Sequence, residues 1–179
     1  TCVPHAIDSD KLWAGTYEGL FLLERKEGKW RVEKRVEGVS DWFKNFEFQS
    51  PDVLWIRNTS HGALRIQLDT TSYKVKQSRF YSVQDGFKSV RNLFITKVDG
   101  KVYFSSDSGL YEYNPAKDRM EPSKTISTNF PHSVLKRVGK DIFGLDRDGL
   151  GVLKKNDTGD KMFSVIYPIN HKQIDFIRY

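Results

Sequence analysis

Apolar and polar residues alternate along the chain in short runs that are typical of β-strands. The longest uninterrupted apolar runs, such as residues 20–23 and 53–56, are four residues long, a length that suits strands better than helices. No stretch of ten or more residues repeats with the 3.6-residue period of an amphipathic helix. The pattern therefore predicts an all-β protein with almost no helix.

Four segments of the chain match one another, which indicates an internal repeat. Each places an aliphatic residue before an aromatic one, then a short polar stretch, then a glycine. The aromatic residues lie 42, 48 and 40 residues apart, and periods of about 40–50 residues built from short strands are typical of β-propeller blades. The aromatic residues are Trp13, Trp55, Tyr103 and Phe143, and the glycines are Gly19, Gly62, Gly109 and Gly149.

Turn residues divide each repeat into four predicted antiparallel strands. A turn pair such as Ser9-Asp10 or Asp99-Gly100 precedes each aromatic residue, which predicts a hairpin between the first and second strands. The repeated glycine permits a second tight turn with positive φ, and a third and a fourth strand follow. A large aromatic residue that recurs on the second strand is expected to pack one blade on the next.

The repeats predict a single β-propeller segment that spans the 179 residues. A strand remnant at residues 3–7 and the leading strand of a fifth blade at 172–178 favour a fragment of a larger propeller, and a small closed ring is the alternative. An incomplete ring would expose strand edges that can pair with a second copy. We expect the four blades at residues 3–37, 43–82, 91–126 and 132–167, and the start of a fifth at 172–179.

Composition narrows the class of protein without indicating a function. The chain has 29 Lys and Arg residues against 23 Asp and Glu residues, and the two signs are interleaved, so we expect no nucleic-acid partner. The single Cys2 cannot form an internal disulfide. No apolar run approaches the roughly 20 residues of a membrane-spanning helix. We therefore expect no membrane contact in this segment.

The repeats resemble the two-component regulator propeller family, which forms the periplasmic sensing regions of bacterial hybrid two-component sensors. A blade of that family contains an aliphatic residue, Trp, any residue, Gly and Thr, then a polar stretch and Gly-Leu. Residues 12–20 match this motif almost position for position, and Leu54-Trp55-Ile56 with His61-Gly62 is a second match. The resemblance implies a periplasmic sensor segment from a propeller that commonly has seven blades. Its motif carries no catalytic residue.

Basic and polar residues recur where the predicted first strands begin. The basic positions lie 47, 41 and 40 residues apart, so a propeller would arrange them as an arc at one channel mouth, able to bind carboxylate, sulfate or phosphate groups. Neighbouring aromatic residues can stack on sugar faces. The alternative is that these side chains pair with nearby acids or pack between blades. The candidate ligand-binding residues are Lys44, Asn45, Arg91, Asn92, His132, Lys172, Trp42 and Phe87.

The remaining polar residues form no catalytic or metal-binding motif. The four histidines are never spaced as metal ligands on one strand. The Asp146-x-Asp148-Gly149 segment lacks the other oxygen ligands of a calcium loop. No Gly-x-Ser-x-Gly motif is present. We expect no catalytic residue, no metal and no cofactor in this segment.

These observations predict a non-catalytic sensing segment of a periplasmic two-component sensor that recognises an oligosaccharide or another small ligand. The basic arc suggests that this ligand is anionic, and a histidine kinase would lie outside the segment. A protein-interaction scaffold that forms a homodimer is the alternative. A further alternative is a propeller lyase or hydrolase that uses Glu18, His61 and Asp107, because fold alone does not exclude enzymes.

Overall fold

The computed structural model of the chain describes residues 1–39, 43–124, 126, 134–139, 141–145, 149–155 and 161–168, and for 154–155 and 161–168 it describes the backbone alone. The strands form four sheets, each with four antiparallel strands in the order of the chain. These sheets are the blades of a β-propeller. The predicted fold class, an all-β propeller of about four blades, is confirmed.

Blades 1 and 2 are built from the first eight strands. Each begins with the strand nearest the propeller axis and ends with the outermost one. Blade 1 contains β1 (Cys2–Pro4), β2 (Lys11–Gly15), β3 (Leu20–Lys26) and β4 (Lys29–Arg35). Blade 2 contains β5 (Phe46–Ser50), β6 (Val53–Asn58), β7 (Gly62–Leu68) and β8 (Val75–Tyr81).

Blades 3 and 4 repeat this order of strands. Blade 3 contains β9 (Phe94–Val98), β10 (Lys101–Ser106), β11 (Gly109–Asn114) and β12 (Arg119–Pro122). Blade 4 contains β13 (Val134–Val138), β14 (Asp141–Leu145), β15 (Gly149–Lys155) and β16 (Lys161–Pro168). The predicted start of a fifth blade at residues 172–179 lies outside the described residues, and the larger ring stays a prediction.

The single helical turn among the described residues is the 3₁₀ helix at Val83–Asp85, between blades 2 and 3. The Ser82 hydroxyl accepts the N–H of Gln84, and the Asp85 carboxylate accepts the N–H of Ser82, so two backbone donors at the N-terminal end of the turn are satisfied. No described helix has the length and apolar character that crossing a membrane requires.

Strand register aligns the four repeats with one another. The second residue after each blade aromatic pairs with the residue that follows the repeated glycine, as Gly15 pairs with Leu20 and Arg57 with Ala63. The glycines themselves have positive φ. At Gly62 a Cβ atom would also lie 2.4 Å from the carbonyl oxygen of Tyr81. Both the turn conformation and the close backbone therefore require glycine there.

The aromatic residues of β2 and β6 close apolar cores between consecutive blades. Trp13 stacks on Phe48 of blade 2, with ring centres 5.0 Å apart. Trp55 is fully buried, and its ring centre lies 4.8 Å from that of Phe104 in blade 3. The residues before and after Trp55 point to the opposite face and pack in the core with blade 1. The strand β6 therefore contributes to two cores.

The third core lies between blades 3 and 4 and follows the same plan. Tyr103 is 6% exposed and packs in one cluster with Leu135 and Ile142 of blade 4. Phe143, the equivalent aromatic residue of blade 4, is half-buried. No core cluster of described residues contains side chains of both blade 4 and blade 1. The described cores thus join the blades as a consecutive series.

Replacing Trp55 with Ala should lower the free energy of unfolding by about 3–5 kcal/mol, because it empties the core between blades 2 and 3. Trp30 provides the matched control, since it is 45% exposed on the outer strand of blade 1. We expect the Trp30→Ala change to cost about 1 kcal/mol or less. Urea unfolding followed by circular dichroism measures both. Equal losses in the two variants would contradict the assigned role of Trp55.

Candidate ligand-binding face

One end of the propeller gathers the loops that carry the predicted ligand-binding residues. Because successive strands are antiparallel, the start of each first strand lies at the same end as the turn between the second and third strands. We call this end the channel mouth. Its described loops are residues 16–19, 43–45, 59–61, 91–93 and 107–108.

Lys44 and Tyr17 form an exposed pair at the channel mouth, across blades 1 and 2. The Lys44 Nζ atom lies 5.5 Å from the centre of the Tyr17 ring, and Tyr17 is 65% exposed. The Thr1 hydroxyl donates a hydrogen bond to the carbonyl oxygen of Lys44, which fixes the backbone at this point. The pair presents a cation beside an accessible aromatic ring.

Arg91 and Asn92 share one acidic partner, Asp107, within blade 3. The Asn92 Nδ2 donates to the Asp107 carboxylate at 2.9 Å, and the Arg91 Nε lies 3.7 Å from the other oxygen. The Arg91 side chain is 84% exposed. An exposed ion pair of this kind contributes little to stability. Arg91 can therefore exchange its partner for an anionic ligand at small cost.

Strand register shifts the basic positions that the sequence spacing aligns. Asn45 is equivalent to Phe94 rather than to Asn92, because each lies opposite the second residue after its blade aromatic. In this register Lys44 is equivalent to Leu93, so Arg91 lies two residues earlier in its blade than Lys44 does. Both residues lie at the channel mouth, but they do not occupy equivalent positions in their blades.

Asn45 bonds to the protein backbone and joins blade 2 to blade 3. Its Nδ2 donates to the Ile95 carbonyl oxygen at 2.9 Å, and its Oδ1 accepts the Ile95 N–H at 2.6 Å. Both hydrogen-bonding groups of the amide are thus engaged. The structure gives Asn45 a role in positioning the first strand of blade 3.

Phe87, the predicted sugar-stacking residue, packs inside the core between blades 2 and 3. It is 3% exposed, and its ring centre lies 5.0 Å from that of Tyr111. This burial leaves the ring no surface on which a sugar could stack. Three further predicted residues, Trp42, His132 and Lys172, lie outside the described residues.

Arg57 is the residue at the channel mouth that sequence reasoning missed. It is half-buried at the end of β6, and its guanidinium carbon lies 4.6 Å from the centre of the Phe94 ring. Within the part of the chain that the structure describes, the Nε atom is buried without a hydrogen-bond partner. Burial lowers the pKa of Arg57, and no acid among those residues opposes this effect. A buried donor without a partner destabilises the folded state by about 1–3 kcal/mol, so Arg57 lowers the stability of the fold.

The repeat shows that the fold itself does not need a cation at this position. The equivalent residues of the other blades are Gly15, Ser105 and Leu145, all uncharged. At Gly15 the next blade lies so close that a Cβ atom would be 2.5 Å from the carbonyl oxygen of Phe43. The signal in the sequence was the change from Leu-Trp-Ala-Gly to Leu-Trp-Ile-Arg, which is visible only once the repeats are aligned.

Charged residues of the first strands meet near the propeller axis. Glu47 of β5 is half-buried, and this burial raises the pKa of its carboxyl. The backbone N–H of Lys97 and the charges of Lys97 and Lys136 oppose the rise without cancelling it. The Lys97 Nζ itself donates to the Phe48 carbonyl oxygen at 2.6 Å. Three adjacent blades thus contribute one ionisable residue each to this region.

A second ionisable cluster lies at the outer edge of blades 2 and 3. The Tyr81 and Tyr113 hydroxyls both donate to the Asp118 carboxylate, and Arg79 forms an ion pair with the same group. These hydrogen bonds lower the pKa of Asp118. Burial, and then the bond to Asp118, raise the pKa of Tyr81, so its hydroxyl stays protonated as a donor. The cluster closes the outer end of the core.

The residues of the predicted enzyme site lie in loops of three different blades. Glu18 follows β2, His61 follows β6 and Asp107 follows β10. The His61 ring nitrogen lies 3.1 Å from Asn58 Oδ1, and Asp107 bonds to its own blade, as described above. Within the described part of the chain, no group of three or more His, Cys, Asp or Glu side chains is arranged to hold a metal ion.

The Asn45→Ala variant should lose about 2–3 kcal/mol of unfolding free energy, because it removes two hydrogen bonds between blades and leaves the Ile95 backbone unpaired. Asn92→Ala is the matched control, since that side chain is exposed and bonds within one blade. Its expected loss is about 1 kcal/mol, because Asn92 has a φ of 52° and alanine is less favourable than asparagine in that conformation. Chemical denaturation measures both, and a loss below that of the control would overturn the role of Asn45.

The pH dependence of stability should report on Glu47. Because its folded pKa lies above the ordinary value of 4.5, the folded state binds this proton more tightly, and the associated stability is lost as the pH rises through the folded pKa. Glu47→Gln should therefore gain stability relative to the wild type as the pH rises from about 4.5 to 7. Glu37→Gln, which removes an exposed carboxyl, is the matched control for the loss of one acidic group. Parallel pH profiles for the wild type and Glu47→Gln would contradict this assignment.

The channel mouth combines exposed cations, an aromatic ring and polar side chains from blades 1 to 3. Tyr17 and the Arg91 side chain are exposed at this end. No protein-family model matches the chain, and no curated protein matches it.

Proposed function

We propose that this chain is a non-catalytic, ligand-sensing segment of the periplasmic region of a two-component sensor, and that it recognises an oligosaccharide at the channel mouth. The proposal is supported by the propeller fold and by the blade motif of residues 12–20. A histidine kinase in another part of the same sensor would receive the signal.

The observation that carries the proposal is the arrangement of Lys44 and Tyr17 beside Arg91 and Asn92 at one end of adjacent blades. Aromatic rings stack on the apolar faces of sugars, while amides and cations bond to hydroxyl and acidic groups. Tyr17 is 65% exposed and Arg91 has an 84% exposed side chain. A ligand several sugar units long would contact blades 1, 2 and 3 together.

A ligand bound at the channel mouth would lie next to the contacts between blades. Asn45 follows Lys44 in the chain and holds Ile95 of the next blade through two hydrogen bonds. A ligand that binds one arrangement of the blades more tightly than another shifts the population toward that arrangement. Sensing would therefore use the same junctions that stabilise the fold.

A protein-interaction scaffold is the second candidate, and a specific surface favours it. Val134, Val138 and Leu145 are 41%, 58% and 49% exposed. Val134 pairs with Leu145 across the sheet, so these side chains share one face of blade 4. Exposed apolar faces of this kind mark surfaces for association. A homodimer is the simplest assembly that such a face would form.

Binding of an oligosaccharide should raise the melting temperature of the chain. We would compare cellohexaose, which is neutral, with hexagalacturonate, which is anionic, each at low and at high salt. Lys44→Ala and Arg91→Ala should reduce the rise and its salt dependence, because both remove cations from the mouth. Lys29→Ala is the control, since Lys29 begins β4 at the opposite end of the blade.

The outcomes of this experiment separate the two candidates. A shift that Lys44→Ala or Arg91→Ala reduces and Lys29→Ala preserves supports sensing at the mouth. No shift with either glycan, together with a molar mass that rises with protein concentration in light scattering, would favour the scaffold. Equal shifts in all variants would place the glycan site elsewhere.

A further inference from the structure

The side chain of Arg57 has the environment of an anion-binding residue. Its side chain makes no ion pair and no hydrogen bond with any residue that the structure describes, and its buried Nε is unpartnered. Neither Nη group is buried without a partner. Because neither one bonds to a described residue, both are accessible to solvent. Two accessible Nη groups offer the parallel donors that bind a carboxylate or sulfate bidentately.

The surroundings of Arg57 hold it in place from two blades. The Arg57 N–H donates to the Asn45 carbonyl oxygen at 2.9 Å. The Asn45 side chain in turn holds Ile95, the residue next to Phe94, whose ring lies beside the guanidinium. A site built on two strands and a fixed ring needs little reorganisation when a ligand binds.

Arg65 of the same blade is an arginine with a structural role, and its neighbours can be compared with those of Arg57. Its guanidinium lies 6.0 Å from the centre of the Trp55 ring and 5.6 Å from that of Tyr113. The carboxylates of Asp52 and Asp118 interact with its charge. Arg57 has the aromatic neighbour, but no acid among the described residues interacts with its charge. The missing negative charge is what a ligand would supply.

We propose that Arg57 binds an oxyanion, a carboxylate or a sulfate, of an acidic oligosaccharide at the junction of blades 2 and 3. This inference rests on the proposed function for the saccharide part of the ligand, and on Arg57 alone for its acidic part. Phe94 is half-buried beside the guanidinium and leaves room for the apolar face of the same sugar. Arg91 and Lys44, both exposed at the mouth, would add charge attraction without fixing the geometry.

Binding of small anions tests the acidic part of the inference directly. Sodium sulfate and sodium glucuronate are titrated into ¹⁵N-labelled protein at constant ionic strength, and the Nε–H signal of Arg57 is followed by NMR. We expect a saturable shift of this signal. Arg57→Gln should abolish the saturable binding, and Arg57→Lys should weaken it about tenfold, because a point charge replaces the bidentate fork.

Arg65→Gln is the matched control, since it removes an arginine with an unpartnered Nε from the same blade. It should leave anion binding unchanged. Melting temperatures and circular dichroism without anion show whether each variant is folded, and Arg57→Lys keeps the test valid if Arg57→Gln is not. Equal anion binding by the wild type, Arg57→Gln and Arg57→Lys would overturn the inference and indicate adventitious ions only.

A pair of trisaccharides separates this inference from the proposed function. Trigalacturonate should bind more tightly than trigalactose, and Arg57→Gln should reduce the difference by at least about tenfold. If both trisaccharides raise the melting temperature equally, sensing at the mouth stands and the role of Arg57 fails. If sulfate and glucuronate bind at Arg57 while no oligosaccharide binds, the anion site stands and the saccharide part of the proposal fails.

Discussion

The contact between the aromatic residue of each second strand and the following blade is the interaction on which the fold depends. A four-stranded sheet with apolar faces cannot hide them from water alone, so each blade is stabilised by its neighbours. Trp55 shows the extent of this dependence, since it is fully buried among rings of its own blade and of blade 3. The repeats therefore keep a large aromatic residue at this position while their loops diverge.

The channel mouth is positioned by the same junctions. Asn45 and Phe94 occupy equivalent positions in adjacent blades. Asn45 joins the two blades through hydrogen bonds, and Phe94 packs beside the guanidinium of Arg57. Residues that hold the fold and residues available to a ligand thus alternate within a few ångströms. A ligand bound there would contact the junction itself, which is the coupling that a sensing role requires.

The two ends of the junction between blades 2 and 3 differ in how they satisfy charge. At the outer edge, Asp118 accepts from two tyrosines and pairs with Arg79, so each charged group has a partner. At the channel mouth, burial lowers the pKa of Arg57, and no acid among the described residues offsets this effect. A charged group that has no partner of opposite charge in the fold is stabilised most when a ligand supplies that charge. This contrast separates a structural cluster from a candidate binding site.

The sequence by itself determined the number of blades, the β class and the recurring aromatic and glycine positions, because strand alternation and turn residues act over a few neighbours. It also placed Lys44 and Arg91 at the channel mouth. Only the tertiary structure decided that Asn45 and Phe87 hold blades together and that Arg57 has no acidic partner among the described residues. These roles depend on contacts such as that between Asn45 and Ile95, which are 50 residues apart. Strand register and the spacing of adjacent sheets create such contacts, and no local pattern encodes them.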